Sequence, residues 1–474
     1  MPDPHFDIGI IGAGTMGGNL ALNIADHGFS VAVYDASADR VREFARKYES
    51  RDKIIAAGTL REMVGLLRRP RAVLALVPAG QPVDDVIESL IPYFDKGDLI
   101  IDGGNSHFTD TDRRAVQLAE KSMLFMGLGI SGGESGARHG PSLMPGGAVE
   151  AYERVRPLLE KIAAHVNGDP CVAYLGTGSA GHYVKMVHNG IEYALMQLIS
   201  ETYDLMKRGL KMSAGRLADI YSRWNEGELN SYLIEITAQI FRCKDPHAPN
   251  HALIDMVLDK ASQKGTGKWT SCEAMERKVP APNIDAALLM RNLSDRLEER
   301  TKASRSLLGP DHALRSGGEW LTRHLADAYY AGMVMCYAQG MELLGTASKA
   351  YLYGLDLEVV AQIWRGGCII RAALLDEIRA AYGRQPDLPN LLLDKYLGME
   401  VAKRQNSLRA VVSAAAELGL PAPGFSASLA YFDAYRSALL PVNLIQAQRD
   451  YFGAHTYERI DMPGKTFHTE WSEM

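Results

Sequence analysis

The chain reads as two folds in series: an α/β domain built on buried parallel strands over 1–178, then a large all-α domain over 179–440, with a short C-terminal tail over 441–474. Three observations predict this. Short apolar runs alternate with amphipathic stretches through the first third of the chain, as in successive βαβ units. The first run, Phe6–Ile11, passes directly into Gly12-Ala13-Gly14-Thr15-Met16-Gly17. Near Gly176–Ala180 the alternation gives way to long helical periodicity, which continues to about Leu440.

Composition limits what such a chain does. At 474 residues it has room for two or three domains and a sizeable core. A net charge of −6 gives no electrostatic footprint for nucleic acid or an anionic membrane, so an anionic substrate must be met by a local cluster of Lys and Arg. Cys171, Cys243, Cys272, Cys336 and Cys368 are dispersed, with no CxxC pair. That argues against a zinc site or a disulfide framework and fits a reducing compartment. Met1–Ile10 lacks the basic start and apolar run of a signal peptide, and no apolar stretch is long enough to span a bilayer. The expectation is a cytoplasmic enzyme with no metal, no membrane and no nucleic-acid partner.

The glycine motif gains weight from its position. GxGxxG after a strand and at a helix start is the dinucleotide-binding turn of a Rossmann-like fold. Gly12 permits the tight turn, Gly14 lets backbone approach a pyrophosphate, and Gly17 allows close helix–strand packing; Ala13, Thr15 and Met16 complete the cradle at the helix N-terminus. A helix is expected over Asn19–His27 and a second strand over Ser30–Tyr34, ending in Asp35-Ala36-Ser37. An acid at that distance accepts hydrogen bonds from the adenosine ribose and repels a 2′-phosphate. NAD is therefore favoured over NADP, although Arg40 and Arg42 on the next helix remain within reach of a phosphate. The alternative is an Asp that caps a turn on the surface.

Arg71–Val77 and Asp98–Ile101 read as further parallel strands, leading to the turns Val77-Pro78-Ala79-Gly80 and Asp102-Gly103-Gly104-Asn105-Ser106. Ligands of open parallel sheets bind beyond the carboxyl ends of strands, which places Asn105 by the substrate or the nicotinamide ribose; a helix-capping Asn is the alternative. Met123–Met126 is expected as a short strand before a loop, Gly127–Glu134, whose successive N–H groups suit a carboxylate. Gly140–Gly147 reads as a region of tight turns.

The long helix Ala180–Met206 is the centre of the second domain. Lys185, His188, Asn189 and Glu192 fall at i, i+3, i+4 and i+7, on one stripe. A solvated face would explain such a stripe. Yet Lys and Glu seven apart are about 10 Å from each other along the axis, too far for ordinary i,i+4 support. The alternative is a set of side chains converging on a small polar ligand, with a desolvated Lys acting as general base. Further on, Lys264 lies in a Gly-flanked loop without the spacing of a nucleotide-hydrolysing phosphate loop. Arg291 follows the apolar run Ala286–Met290 and calls for a partner, either an acid such as Asp295 or a ligand. Trp364–Arg371 reads as helix packing. The tail, Asp461–Met474, shows no clear periodicity, and its Phe467 and Trp471 need something to bury against.

Taken together, DGGNS (102–106), GISGGESGARHGPSLMPGG (129–147), GHYVKMVHNGIEY (181–193), SQKGTGKW (262–269), WRGGCIIR (364–371) and LIQAQRDYFGAHTYE (444–458) resemble the long, decarboxylating 6-phosphogluconate dehydrogenases over essentially the whole chain. The resemblance implies a homodimer whose tail reaches the second subunit. It makes Lys185 the general base and Glu192 the acid. Asn105, Ser131, Gly132, Gly133, His188, Asn189 and Tyr193 become contacts of a phosphorylated sugar acid, and Lys264 and Arg291 hold its phosphate. Arg449 and His455 complete the site from the neighbouring subunit. NADP-using members resemble Asn-Arg-Thr where this chain has Asp35-Ala36-Ser37, and carry Lys where Pro78 stands beside Val77 and Ala79. Both departures strengthen NAD. The rivals are a β-hydroxyacid dehydrogenase acting on an unphosphorylated substrate and a dinucleotide sensor without turnover. The first has no use for Lys264, Arg291 and Arg449, and the second none for Lys185 and Glu192.

Overall fold

The apolar runs of the N-terminal region carry little polar alternation, so both faces of each strand must be covered, which is the condition of a parallel sheet. The structure, a computed structural model, describes residues 5–48, 51–310 and 318–473. Residues 1–4 of the Met1–Ile10 stretch, and Met474 at the end of the tail, lie outside them. Two units are distinguished, residues 1–428 and residues 429–474.

In the first unit seven strands form one sheet: β1 (Ile8–Ile11), β2 (Val31–Tyr34), β3 (Ile54–Ala56), β4 (Ala72–Ala75), β5 (Leu99–Asp102), β6 (Leu124–Ser131) and β7 (Ser142–Gly147). Their order is β3-β2-β1-β4-β5-β6-β7. Neighbours from β3 through β6 pair in parallel, and β7 pairs antiparallel to β6. Strand order reverses between β1 and β4, so a crevice opens there beyond the strand ends. Ile8, Ile10, Val31, Val33, Leu74 and Ile101 pack on one face of the sheet, and Ile11, Val73 and Ile100 on the other.

Three differences from the sequence-based expectation have physical causes. β3 leaves no mark in the sequence, because three residues are too few to show a period. Gly127–Ser131 is strand rather than loop, since β6 runs on to Ser131, and the turn-like stretch Ser142–Gly147 is its antiparallel partner. The glycines that suggest turns there serve close packing. A Cβ on Gly129 would lie 2.6 Å from Lys185 Cβ, one on Gly146 2.2 Å from Gly181 N, and one on Gly181 2.3 Å from Met144 O. These contacts lay the helix Ala180–Asp204 directly on β6 and β7. Gly181→Ala is therefore expected to destabilise the fold by about 1–3 kcal/mol, read by urea unfolding, because backbone on both sides has nowhere to move.

That helix runs 25 residues and continues into a π turn, Leu205–Gly209. Lys185, His188 and Asn189 are all buried. The polar stripe is therefore not a solvated face. The second unit contains a helix, Val442–Gly453, and an antiparallel hairpin of Tyr457–Arg459 with Met462–Phe467. The tail thus has regular structure that its sequence does not announce, and Trp471 finds its partner within the unit, on Asp450.

Candidate active site

The crevice at the β1–β4 reversal is lined as the glycine motif requires. Gly12 has φ +112°, and a Cβ there would meet Leu76 O at 2.5 Å; one on Gly17 would sit 1.8 Å from Gly12 O. Around Gly14 nothing lies within 4 Å, so its missing side chain leaves room for something other than protein. The helix Thr15–Asp26 starts at once, with Thr15 exposed and Met16 half-buried at its first turn. The chain thus fits a dinucleotide pyrophosphate on Gly12–Gly17.

Asp35 at the end of β2 does cap the turn that follows, but it is buried rather than on the surface. Its Oδ2 accepts from Ala13 N–H at 2.9 Å and its Oδ1 from Ser37 N–H at 2.9 Å. The carboxylate ties the β2 turn to the glycine loop and keeps lone pairs for further donors. Ala36 beside it is exposed, and Arg40 Nη1 lies 3.8 Å from Asp35 Oδ2. Across the crevice Val77 is half-buried, and Pro78 and Ala79 are exposed.

The β4 and β5 turns are held by a residue that the motifs leave unmarked. Arg114, fully buried, donates to both Asp84 oxygens (2.8 and 3.0 Å) and to Gly80 O at 2.9 Å, and reaches Ser106 Oγ at 3.3 Å and Asp102 Oδ2 at 3.4 Å. Asp102 in turn accepts from Gly104 N–H at 3.0 Å and Ser106 Oγ at 2.6 Å. Asn105 rides on this turn and is exposed. The one signal in the sequence is an Arg on the apolar spacing Phe108, Thr111, Arg114, Leu118. His182 also belongs to the scaffold: Nδ1 sits 2.6 Å from Thr111 Oγ1 and Nε2 3.0 Å from Asp102 O. A carbonyl only accepts, so Nε2 carries the proton.

The polar stripe faces the end of β6. Lys185 Nζ donates to Asn189 Oδ1 at 2.7 Å, and His188 Nδ1 stands 3.1 Å from the same oxygen. Nδ1 is then the protonated nitrogen, and Nε2, 3.1 Å from Ser131 Oγ, accepts from that hydroxyl. Asn189 Nδ2 donates to Thr266 Oγ1 at 3.2 Å, which fixes the amide's orientation and brings in the start of the helix Thr266–Glu276. Glu192 Oε2 is 3.8 Å from His188 Nδ1.

Burial sets the protonation of the group. It pushes the Lys185 ammonium below the usual lysine range, opposed by the charge of Glu192. Burial raises the Glu192 carboxyl, opposed by Lys185 and Arg291. Burial, helped by Lys185, holds His188 neutral. An amine eased toward its neutral form and a carboxyl eased toward its acid form on one stripe have the protonation that base and acid roles require.

Gly132, at φ +122°, and Gly133, at φ +60°, follow Ser131 at the end of β6. Arg291 has no carboxylate partner from the Asp295 side, because Asp295 lies 3.4 Å from Lys260 Nζ instead. Its guanidinium stacks 3.6 Å over the Tyr193 ring and donates to Ser262 O at 3.2 Å, on the loop that carries the exposed Lys264. Arg449 and His455 belong to the second unit, where both are exposed. Among the described residues no group of three or more His, Cys, Asp or Glu side chains is placed to hold a metal, and no helix is long and apolar enough to cross a membrane.

A glycine turn at a strand-order reversal, in one unit with an amine stripped of water, is the build of a nicotinamide-dependent oxidoreductase. Comparison with known proteins makes this specific. Residues 7–176 match the NAD binding domain of 6-phosphogluconate dehydrogenase, and residues 181–471 match the 6-phosphogluconate dehydrogenase C-terminal domain. The chain belongs to the decarboxylating 6-phosphogluconate dehydrogenase family. It is 50% identical to the Bacillus subtilis NADP(+)-dependent, decarboxylating enzyme, with 98% of each chain covered. It is 51% identical to the decarboxylating enzyme of Synechococcus elongatus, again over 98% of both. The solved 6-phosphogluconate dehydrogenase of Plasmodium falciparum, described in complexes with NADP+ and with 6-phosphogluconate, aligns at TM-score 0.94 and 45% identity, covering 98% of this chain and 100% of that one.

Proposed function

We propose that this protein oxidises 6-phospho-D-gluconate and releases CO2 to give D-ribulose 5-phosphate, a step of the pentose phosphate pathway, with NAD favoured over NADP. The observation that carries the reaction is the buried Lys185 amine on one stripe with Glu192. Gly12–Gly17 and Asp35, Ala36, Ser37, Val77, Pro78, Ala79 and Asn105 would hold the dinucleotide, which would supply a hydride acceptor. Neutral Lys185 takes the proton of the C3 hydroxyl as the C3–H bond gives up its hydride to that acceptor, leaving a 3-keto acid whose carboxylate is β to a carbonyl. Protonated Lys185 beside that oxygen stabilises the enol formed as CO2 departs. Glu192 then protonates C1. Ser131, Gly132, Gly133, His188, Asn189 and Tyr193 orient the sugar acid, and Lys264 and Arg291 meet its phosphate. The assembly proposed is a cytoplasmic homodimer in which Arg449 and His455 reach the site of the other copy. The division of labour proposed is cofactor binding by 1–178, substrate binding and dimerisation by 179–440, and completion of the partner's site by 441–474. Mixing the protein with NAD and 6-phosphogluconate is expected to yield reduced cofactor and CO2 in equal amounts. Reduced cofactor without CO2, or neither product with NAD or with NADP in its place, defeats the reading.

Support for NAD comes from the buried carboxylate of Asp35, with no cation at Ala36 or Pro78 to offset it. Arg40, exposed and 3.8 Å from Asp35, favours the second reading, in which NADP is also used. The expected result is a kcat/KM at least about tenfold higher with NAD, and a shift toward NADP in Asp35→Asn with Ala36→Arg. A native preference for NADP removes the cofactor assignment and leaves the reaction intact.

A further inference from the structure

The helix Val442–Gly453 buries a carboxylate and exposes its apolar residues. Leu444, Ile445, Tyr451 and Phe452 are exposed, while Asp450 is the residue it buries. Four donors converge on Asp450, two on each oxygen. Thr456 N–H donates to Oδ1 at 2.9 Å, and His468 Nδ1 lies 3.0 Å from the same atom. Oδ2 accepts from Thr469 N–H at 3.1 Å and from the Trp471 indole at 2.8 Å. One side chain thus joins the helix, the turn after it and the end of the tail.

The turn it holds is strained. Ala454 has φ +49° and Thr456 φ +55°, and left-handed backbone is costly for alanine and more so for a β-branched residue. His455 sits between them. Gln446 Nε2 donates to the carbonyls of His455 and Thr456, and Gln446 Oε1 accepts from Arg449 Nη1 at 3.2 Å. Strain of this kind persists only where the surroundings over-determine it, and here Asp450 and Gln446 do so.

We propose that Asp450, seconded by Gln446, is a positioning residue: it fixes the turn that presents His455, beside Arg449, in the geometry with which both meet the substrate. The inference rests on the reading above that Arg449 and His455 are substrate contacts. Asp450→Asn sets an amide N–H against donors and slackens the turn. Its KM for 6-phosphogluconate is expected to rise roughly tenfold while the KM for the dinucleotide stays unchanged. A merely structural role would lower the active fraction, and hence kcat, with neither KM moved; that result overturns the proposal. If Asp450→Asn does not recover the native mass and circular dichroism, Gln446→Ala decides by the same split: a selective rise of the substrate KM supports the proposal and its absence overturns it. Arg449→Ala is measured alongside. If it leaves the substrate KM unchanged, the substrate-contact reading falls and takes this inference with it. If it raises that KM and neither positioning variant does, only this inference falls.

Discussion

Lys185→Met is expected to lower kcat by about ten-thousandfold or more, with dinucleotide binding little changed. General-base catalysis accounts for roughly a hundredfold to ten-thousandfold of this, and the lost cation beside the developing enol oxygen for the remainder. Methionine preserves the volume and apolar stem of a residue lying against Gly129, so the packing of the helix on β6 survives. Lys185→Arg separates the two roles. A guanidinium keeps the charge but does not give up its proton, so it is expected to be as inactive as Met in the oxidation. Initial rates with a dinucleotide-binding titration on each variant check this; substantial turnover by the Arg variant would reduce Lys185 to an electrostatic part. Because burial lowers the pKa of Lys185, its neutral form becomes available below the pH at which a solvated lysine would supply it. The unfolded chain keeps that proton to higher pH, so in this window Lys185 makes folding more favourable as pH rises.

Glu192→Gln is expected to cost a further large factor, about a hundredfold to a thousandfold in kcat, since the amide has no proton to deliver to C1. Its sharper signature is in the pH profile. A reaction needing neutral Lys185 and protonated Glu192 rises with pH and then falls. In Glu192→Gln the falling limb is expected to disappear, leaving a single rise to a plateau, as measured by kcat/KM across pH. Persistence of the falling limb would assign it to another group. The sign for stability is opposite to that of Lys185. Burial raises the folded-state pKa of Glu192, so between the ordinary glutamate value and the raised one the folded chain holds a proton that the unfolded chain has lost. Its contribution to stability therefore declines as pH rises through that window.

Part of this site is legible in the order of residues alone. The glycine turn announces itself because its requirements are local: a positive φ at Gly12, open space at Gly14 and a close approach at Gly17 all arise within one strand, turn and helix. The stripe of Lys185, His188, Asn189 and Glu192 is legible for the same reason, since helical spacing alone puts the four on one side. Other residues mislead. Gly129 and Gly146 look like turn formers, and only the arrival of the helix from residue 180 shows that they let it lie close, with Lys185 against Gly129. Arg291 looks like half of a salt bridge, and the structure gives it the face of Tyr193 instead.

Local pattern thus carries the type of most elements and the chemistry each could bear: a dinucleotide turn, and an amine and a carboxyl seven residues apart; the phosphate-holding part of Lys264 and Arg291 comes only from the family resemblance. Which of these groups leave water, and whom they meet there, is a property of the packed chain. The desolvation that draws Lys185 and Glu192 toward exchangeable protons, the carboxylate of Asp35 turned onto Ala13, and the buried guanidinium of Arg114 across two turns all depend on residues distant along the chain. Hydrophobic periodicity and turn propensity act over a few residues, whereas dielectric surroundings and hydrogen-bond partners are set by whatever the fold brings alongside.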